Sequence, residues 1–83
     1  MKVEIRYFAS IREALGVAAE SVETRASTLA ELRDELIATD AQHAQALARG
    51  RALRMALNQV MCRETASLQE GAEVAFFPPV TGG

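Results

Sequence analysis

The two most regular apolar alternations in this chain lie at its opposite ends, so burying both in one core means bringing the ends together. Lys2 to Phe8 places Val3, Ile5 and Tyr7 on one face and Lys2, Glu4 and Arg6 on the other, the period of two of a half-buried strand. Glu73 to Phe77 is the last strand, with Val74 and Phe76 sharing a face. Both segments are expected in the middle of one sheet. A length of 83 residues accommodates one small domain. Such a chain buries roughly 60–65% of its unfolded surface, so its core is thin and an enclosed active site is not expected.

The segments between the ends supply the remaining elements. Ser10 is expected to cap a short helical turn through Arg12, Glu13 and Leu15, stopped by Gly16. A weaker strand is predicted from Ala19 to Thr24 with Val22 inward. Thr28 and Glu31 have the spacing of a capping box. The helix they open carries Leu29, Leu32, Leu36 and Ile37 on one stripe, with Glu31, Arg33, Asp34 and Glu35 outside. Asp40 is expected to cap a second, Ala-rich helical piece ending near Gly50. Leu53, Met55 and Leu57 then alternate as a strand, with Asn58-Gln59 as a tight connection to Val60-Met61-Cys62-Arg63, and Gly71 marks a turn. The order predicts an α+β roll, a mixed four- to five-stranded sheet packed on one main helix.

Charge and cysteine usage exclude several functions. A net charge of −2 argues against nucleic-acid binding. One Cys excludes an internal disulfide and a multi-Cys metal site within the chain, and the single His weakens any catalytic-dyad or metal reading. Lys2, Glu4 and Arg6 interrupt any secretory leader. The longest apolar run, Val74 to Phe77, is far below the roughly 20 residues needed to cross a bilayer, so a cytoplasmic location without membrane contact is expected.

Two places break the alternation, and such breaches point to function or strain. Phe8 falls on the face of Lys2, Glu4 and Arg6. Phe77 shares a face with Glu73 and Ala75, and Met61 points to the side of Arg63. If the strands pair as proposed, Phe8, Met61 and Phe77 converge on the helix-free face, where exposed aromatic residues with a flexible Met mark a protein contact. The second breach is the ending Pro78-Pro79-Val80-Thr81-Gly82-Gly83. Prolines cannot donate to a sheet ladder, so residues 1–77 are expected to form the body and residues 78–83 a flexible tail reaching about 20 Å. The prolines stiffen its base, and the glycines let its tip thread a narrow channel. The tip presents a carboxylate, a poor electrophile until activation as an acyl-adenylate supplies a leaving group.

The ending Glu73-Val-Ala-Phe-Phe-Pro-Pro-Val-Thr-Gly-Gly83 closely resembles that of molybdopterin synthase small subunits, which are ubiquitin-like sulfur carriers. The resemblance extends to Tyr7-Phe8-Ala9, Arg12-Glu13, Thr28, Leu32-Arg33 and Asn58-Gln59. It implies a β-grasp fold and a chemistry in which an ATP-dependent, ubiquitin-activating-like adenylyltransferase adenylates Gly83 and sulfur then replaces the nucleotide. The resulting thiocarboxylate donates sulfur to cyclic pyranopterin monophosphate inside the large synthase subunit, and two transfers build the dithiolene of molybdopterin. It further implies a heterotetramer of two small and two large subunits, partner contacts at Phe8, Met61 and Phe77, and no cofactor bound by this chain, ATP being used by the activating enzyme. Other readings are a carrier for another pathway, such as thiamine thiazole formation, and a non-covalent ubiquitin-like interaction module. Five residues are read as structural: Cys62, which follows Val60 on an apolar face, as a small buried hydrophobe, His43 as a solvated surface side chain, and Arg49, Arg51 and Arg54 as a solvated loop, with an ion pair to a partner as the lesser option.

Overall fold

A computed structural model describes residues 1–79. The chain runs β1 (Lys2–Tyr7), α1 (Ala9–Leu15), β2 (Ala19–Glu23), α2 (Leu29–Ile37), α3 (Ala41–Ala46), β3 (Arg54–Leu57), β4 (Val60–Cys62) and β5 (Glu73–Phe77). The five strands form one sheet in the order β2-β1-β5-β3-β4. β1 and β5 pair in parallel, and the other neighbours are antiparallel. The two terminal strands therefore sit centrally, as their apolar patterns require. Val3, Ile5, Tyr7, Val74 and Phe76 are fully or almost fully buried against Leu29, Leu32 and Leu36 of α2. The two shorter helices add Ile11, Leu15 and Ala46 to the same core, so α2 shares the covering of the sheet with α1 and α3.

Local signals set most boundaries. Gly16 closes α1 in the left-handed region (φ 75°), its amide donating to the Arg12 carbonyl. The Thr28 hydroxyl accepts from the Glu31 amide, while the Glu31 carboxylate reaches back to the Ser27 amide at 2.6 Å, one residue beyond the usual capping-box donor. Asp40 caps α3 by accepting from the His43 amide at 2.8 Å. Asn58 and Gln59 both take positive φ, 51° and 69°, as a two-residue turn between right-twisted strands requires. Asn58 also clamps β5, its Oδ1 accepting from the Glu73 amide and its own amide donating to the Glu73 carbonyl.

The structure corrects five readings. Ser10 caps nothing: the chain turns at Ala9 (φ 52°), α1 starts there, and Phe8 occupies the N-cap without a side-chain bond. α3 stops at Ala46 rather than near Gly50. Arg33 lies inside rather than outside, its side chain only 5% exposed. Its guanidinium donates to the carbonyls of Leu47, Ala48 and Arg51 and to Glu64 at 2.7 Å, so the segment that leaves α3 is wrapped around a cation. Arg49 is drawn into the same network, bridging Asp34 and Glu64. His43, with its side chain 12% exposed, is held between two carboxylates: Nδ1 lies 2.8 Å from Asp40, and Nε2 lies 2.8 Å from Glu20. The Tyr7 hydroxyl donates to the same Glu20 at 2.6 Å. This chain of contacts ties the edge strand β2 to β1 and α3.

Two predictions test these ties. Arg33→Met removes the donors that satisfy three carbonyls and Glu64, and is expected to cost about 2–3 kcal/mol of stability. Urea denaturation checks it, and a loss below about 0.5 kcal/mol, the range of an ordinary surface change, would contradict it. For His43, burial opposes the charged imidazolium, but the hydrogen bonds and charges of Glu20 and Asp40 outweigh it and raise the pKa above 6.5. The Glu20 carboxyl, also opposed by burial, and the Asp40 carboxyl are held below their ordinary values by His43. A raised His pKa contributes stability that is fully present below about 6.5 and lost as pH rises through the folded value. The depressed carboxyls contribute above their ordinary range and lose that contribution as pH falls through their folded values. The stability gap between the parent and His43→Gln is therefore expected to be widest between about pH 5 and 6.5. It should narrow towards alkaline pH, as followed by denaturation at a series of pH values.

Candidate docking face and tail base

Register decides what the open face of the sheet presents. Because Tyr7, Met55, Val74 and Phe76 point into the core, their neighbours Arg6, Arg54, Ala75 and Phe77 point to the other side. Phe77 lies opposite Arg54 on β3, and Ala75 lies between Arg6 and Ala56, which in turn faces Met61 on β4. Phe8, one residue past β1, is 42% exposed. Its amide donates to the Phe76 carbonyl at 3.2 Å, which brings its ring edge-on to Phe77 at 6.4 Å between centroids.

The structure thus brings Phe8 and Phe77 together. Met61, 56% exposed, lies on the same face but two strands from β5, about 10 Å away at ordinary strand spacing. Ala56 and Ala75 form a small-residue floor between them. Polar groups frame the strip: Arg6 pairs with Glu73 at 3.3 Å on one side, and Arg54 and Arg63 stand on the other. An open groove of about 500 Å³ beside β4 is lined by Leu53, Arg54, Met55, Met61, Cys62, Arg63 and Glu64.

Two neighbours of Met61 bear on the earlier reading. Cys62 packs partly against the core, and burial pushes its thiol pKa up, so it is held as the less reactive thiol. Val60 does not share a buried apolar face with it; it is 67% exposed, at the start of the edge strand β4 directly after the Asn58-Gln59 turn. This exposure adds an apolar group at the sheet edge that the alternation alone assigned to the inside.

β5 ends at Phe77 and passes without a break into Pro78 and Pro79, both half-buried. Val80, Thr81, Gly82 and Gly83 lie outside the described residues. The base of the tail is therefore fixed by three neighbours: the central strand behind it, Phe8 on one side and Arg54 on the other. Among the described residues, no group of three or more His, Cys, Asp or Glu is placed to hold a metal ion. No helix among them is long and apolar enough to cross a membrane.

The chain belongs to the ThiS family, whose pattern matches residues 5–83. It is 40% identical over 81 residues to the molybdopterin synthase sulfur carrier subunit of Escherichia coli strain K12, covering 98% of this chain and 99% of that protein. Its backbone is similar to that of SAMP1 from Haloferax volcanii, with a TM-score of 0.78 and 25% identity over the whole of both chains. It is also similar to a chain in the complex of subunits 1 and 2 of the molybdopterin-converting factor from Helicobacter pylori 26695, with a TM-score of 0.67 and 28% identity over the whole of both. The roll read from the sequence is accordingly the ubiquitin-like β-grasp.

The Phe8–Phe77 pair should be measurable as a coupling. A double-mutant cycle of Phe8→Ala and Phe77→Ala, read by denaturation, is expected to give about 0.5–1.5 kcal/mol of interaction. Strict additivity would mean that the two rings do not position each other.

Proposed function

We propose that this ThiS-family chain is the sulfur-carrier subunit of a molybdopterin synthase, with Gly83 as its working residue and the Phe8, Phe77 and Met61 face as its seat on partners. The observation that carries the reading is the passage of the central strand β5 straight into Pro78-Pro79 on the way to Gly82-Gly83, so that the reactive end is attached to the best-anchored part of the fold. The match along nearly the whole length of a named sulfur carrier supports it. The complex containing a structural neighbour supports a large-subunit partner.

The chemistry follows from the carboxylate. An ATP-dependent adenylyltransferase joins the Gly83 carboxylate to the nucleotide and releases pyrophosphate. A sulfur donor then displaces AMP and leaves a thiocarboxylate. Docked on the large subunit, the tail delivers this sulfur to cyclic pyranopterin monophosphate, and a second loaded carrier completes the dithiolene in a heterotetramer of two small and two large subunits. The cycle would run in the cytoplasm, where ATP is at hand. In it this chain binds no cofactor and, besides the sulfur it carries, contributes position, an effect worth up to about 7–11 kcal/mol of barrier when geometry is correct. Pro78 and Pro79 stiffen the stalk, Val80 and Thr81 extend it, and Gly82 gives clearance at the tip.

Ordering the six-residue tail that the sequence predicts costs about 1–2 kcal/mol per residue, and contact at the aromatic seat offsets part of that cost. Intact mass spectrometry after incubation with the activating enzyme, ATP and a sulfur donor is expected to show a gain of about 16 Da, one oxygen replaced by sulfur at the terminal acid. Deleting Gly82 and Gly83 should abolish both the mass gain and molybdopterin formation while leaving the denaturation midpoint unchanged. A truncated chain that still supported molybdopterin formation would overturn the reading.

A further inference from the structure

The arginines on and around the segment from α3 to β4 use their side chains in two ways. Arg33 and Arg49 spend their donors inside the protein, on backbone carbonyls, Asp34 and Glu64. Arg54 and Arg63 make no ion pair or side-chain hydrogen bond among the described residues. Glu64, the carboxylate next to Arg63 in sequence, is already held by Arg33 and Arg49.

The β3–β4 register pairs Met55 with Cys62, and one further step puts Arg54 opposite Arg63. Two like charges facing each other across a strand pair are destabilising. Both residues are exposed, both line the groove beside Met61, and Arg54 is the cross-strand neighbour of Phe77. On a chain of net charge −2 this is a local concentration of positive charge, set against the apolar strip and paired with no anion among the described residues. At the far β1–β2 corner of the same face the charges are matched, Glu23 lying opposite Lys2 and 3.5 Å from the N-terminal ammonium.

We infer that Arg54 and Arg63 are the electrostatic half of the docking seat and receive acidic side chains of the large-subunit partner beside the apolar contact of Phe77 and Met61. This rests on the proposed function for the existence of that partner. A carboxylate between the two guanidiniums removes their mutual repulsion and accepts charge-assisted bonds from both. Because the pair stands towards the β3–β4 edge of the sheet and not at its centre, a partner carboxylate there sets which way round the carrier sits and hence where the tail is aimed. The groove is too open to enclose a small ligand, and two guanidiniums on an acidic chain make a poor track for nucleic acid. An acidic protein surface is the occupant that this shape and charge fit.

Calorimetric titration of the large subunit with the full-length carrier tests the inference. R54E/R63E is expected to weaken binding by about tenfold or more at low salt, with the deficit shrinking as ionic strength rises. R25E, a charge reversal on the loop before α2, should stay within about twofold of the parent, as expected of a charge remote from the contact. R54Q/R63Q should keep or raise the thermal midpoint, since it removes an opposed pair of like charges.

Binding of R54E/R63E within twofold of the parent, with F77A weakened, overturns this inference and leaves the seat intact. If F77A also binds normally, the proposed seat itself fails. If the deficit disappears when Gly82 and Gly83 are deleted, the anion is the chain's own terminus. If sedimentation shows the parent as a dimer and R54E/R63E as a monomer, it is a second copy of the chain. Either result overturns the assignment to the large subunit.

Discussion

The parallel pairing of β1 with β5 is the contact on which the rest depends. It joins the first strand to the last, and no short turn can make such a connection. The helices and the β3–β4 hairpin therefore lie between the two strands in sequence and wrap around them in space. Tyr7 stacks on Phe76 across this pair. The amides of Glu4 and Phe8 extend it by donating to the carbonyls of Ala72 and Phe76. Because β5 has a strand on either side, its last residue is among the most constrained backbone in the molecule. A tail attached there inherits a fixed origin and direction, which an edge strand would not provide.

A thin core needs polar ties, and these were the least legible part of the sequence. The Leu29, Leu32 and Leu36 stripe, the Gly16 stop and the Thr28 and Asp40 caps follow from local spacing and stand in the structure as read. Arg33 does not. It sits between Leu32 and Asp34 on a helix whose neighbouring charges are exposed, and its buried place is set by carbonyls 14 to 18 residues away. His43 was misread for the same reason: one of its two carboxylate partners, Glu20, lies 23 residues back on β2. Periodicity reports which face a residue occupies but not which distant backbone folds over it. The sequence mark that pointed to Arg33 was its place in a Leu32-Arg33 pair shared with the resembled family. Spacing alone could not assign it a partner.

The open face of the sheet was legible where it broke a rule. Phe8, Phe77 and Met61 stood out because each contradicted the alternation of its strand, and the register puts all three on the open face. Val60 followed the rule and was misplaced, because it opens the edge strand β4 directly after the turn, where alternation sets the side of the strand but not whether anything covers it. The opposition of Arg54 and Arg63 was invisible for a different reason. It depends on the strand register, and the notable arginine run in the sequence, 49 to 54, mixes residues whose side chains serve opposite purposes.

On the proposed function, the carrier visits one enzyme for loading and another for unloading and so cannot hold either too tightly, and the open face has the composition this demands. Its apolar part is small, two rings and a methionine around an alanine floor, and Phe8 and Met61 are each about half exposed before any partner arrives. Such a patch gives up little hydration on docking and supplies correspondingly modest affinity. Charges at its margin add speed and orientation to encounter more than residence time. On the proposed function, the remaining specificity comes from the tail, whose insertion is favourable only where a channel matches Pro78 to Gly83. On that proposal, splitting recognition between a weak rigid seat and a narrow terminal thread lets the same face serve successive partners, with the chemistry at Gly83 confined to a site that accepts both.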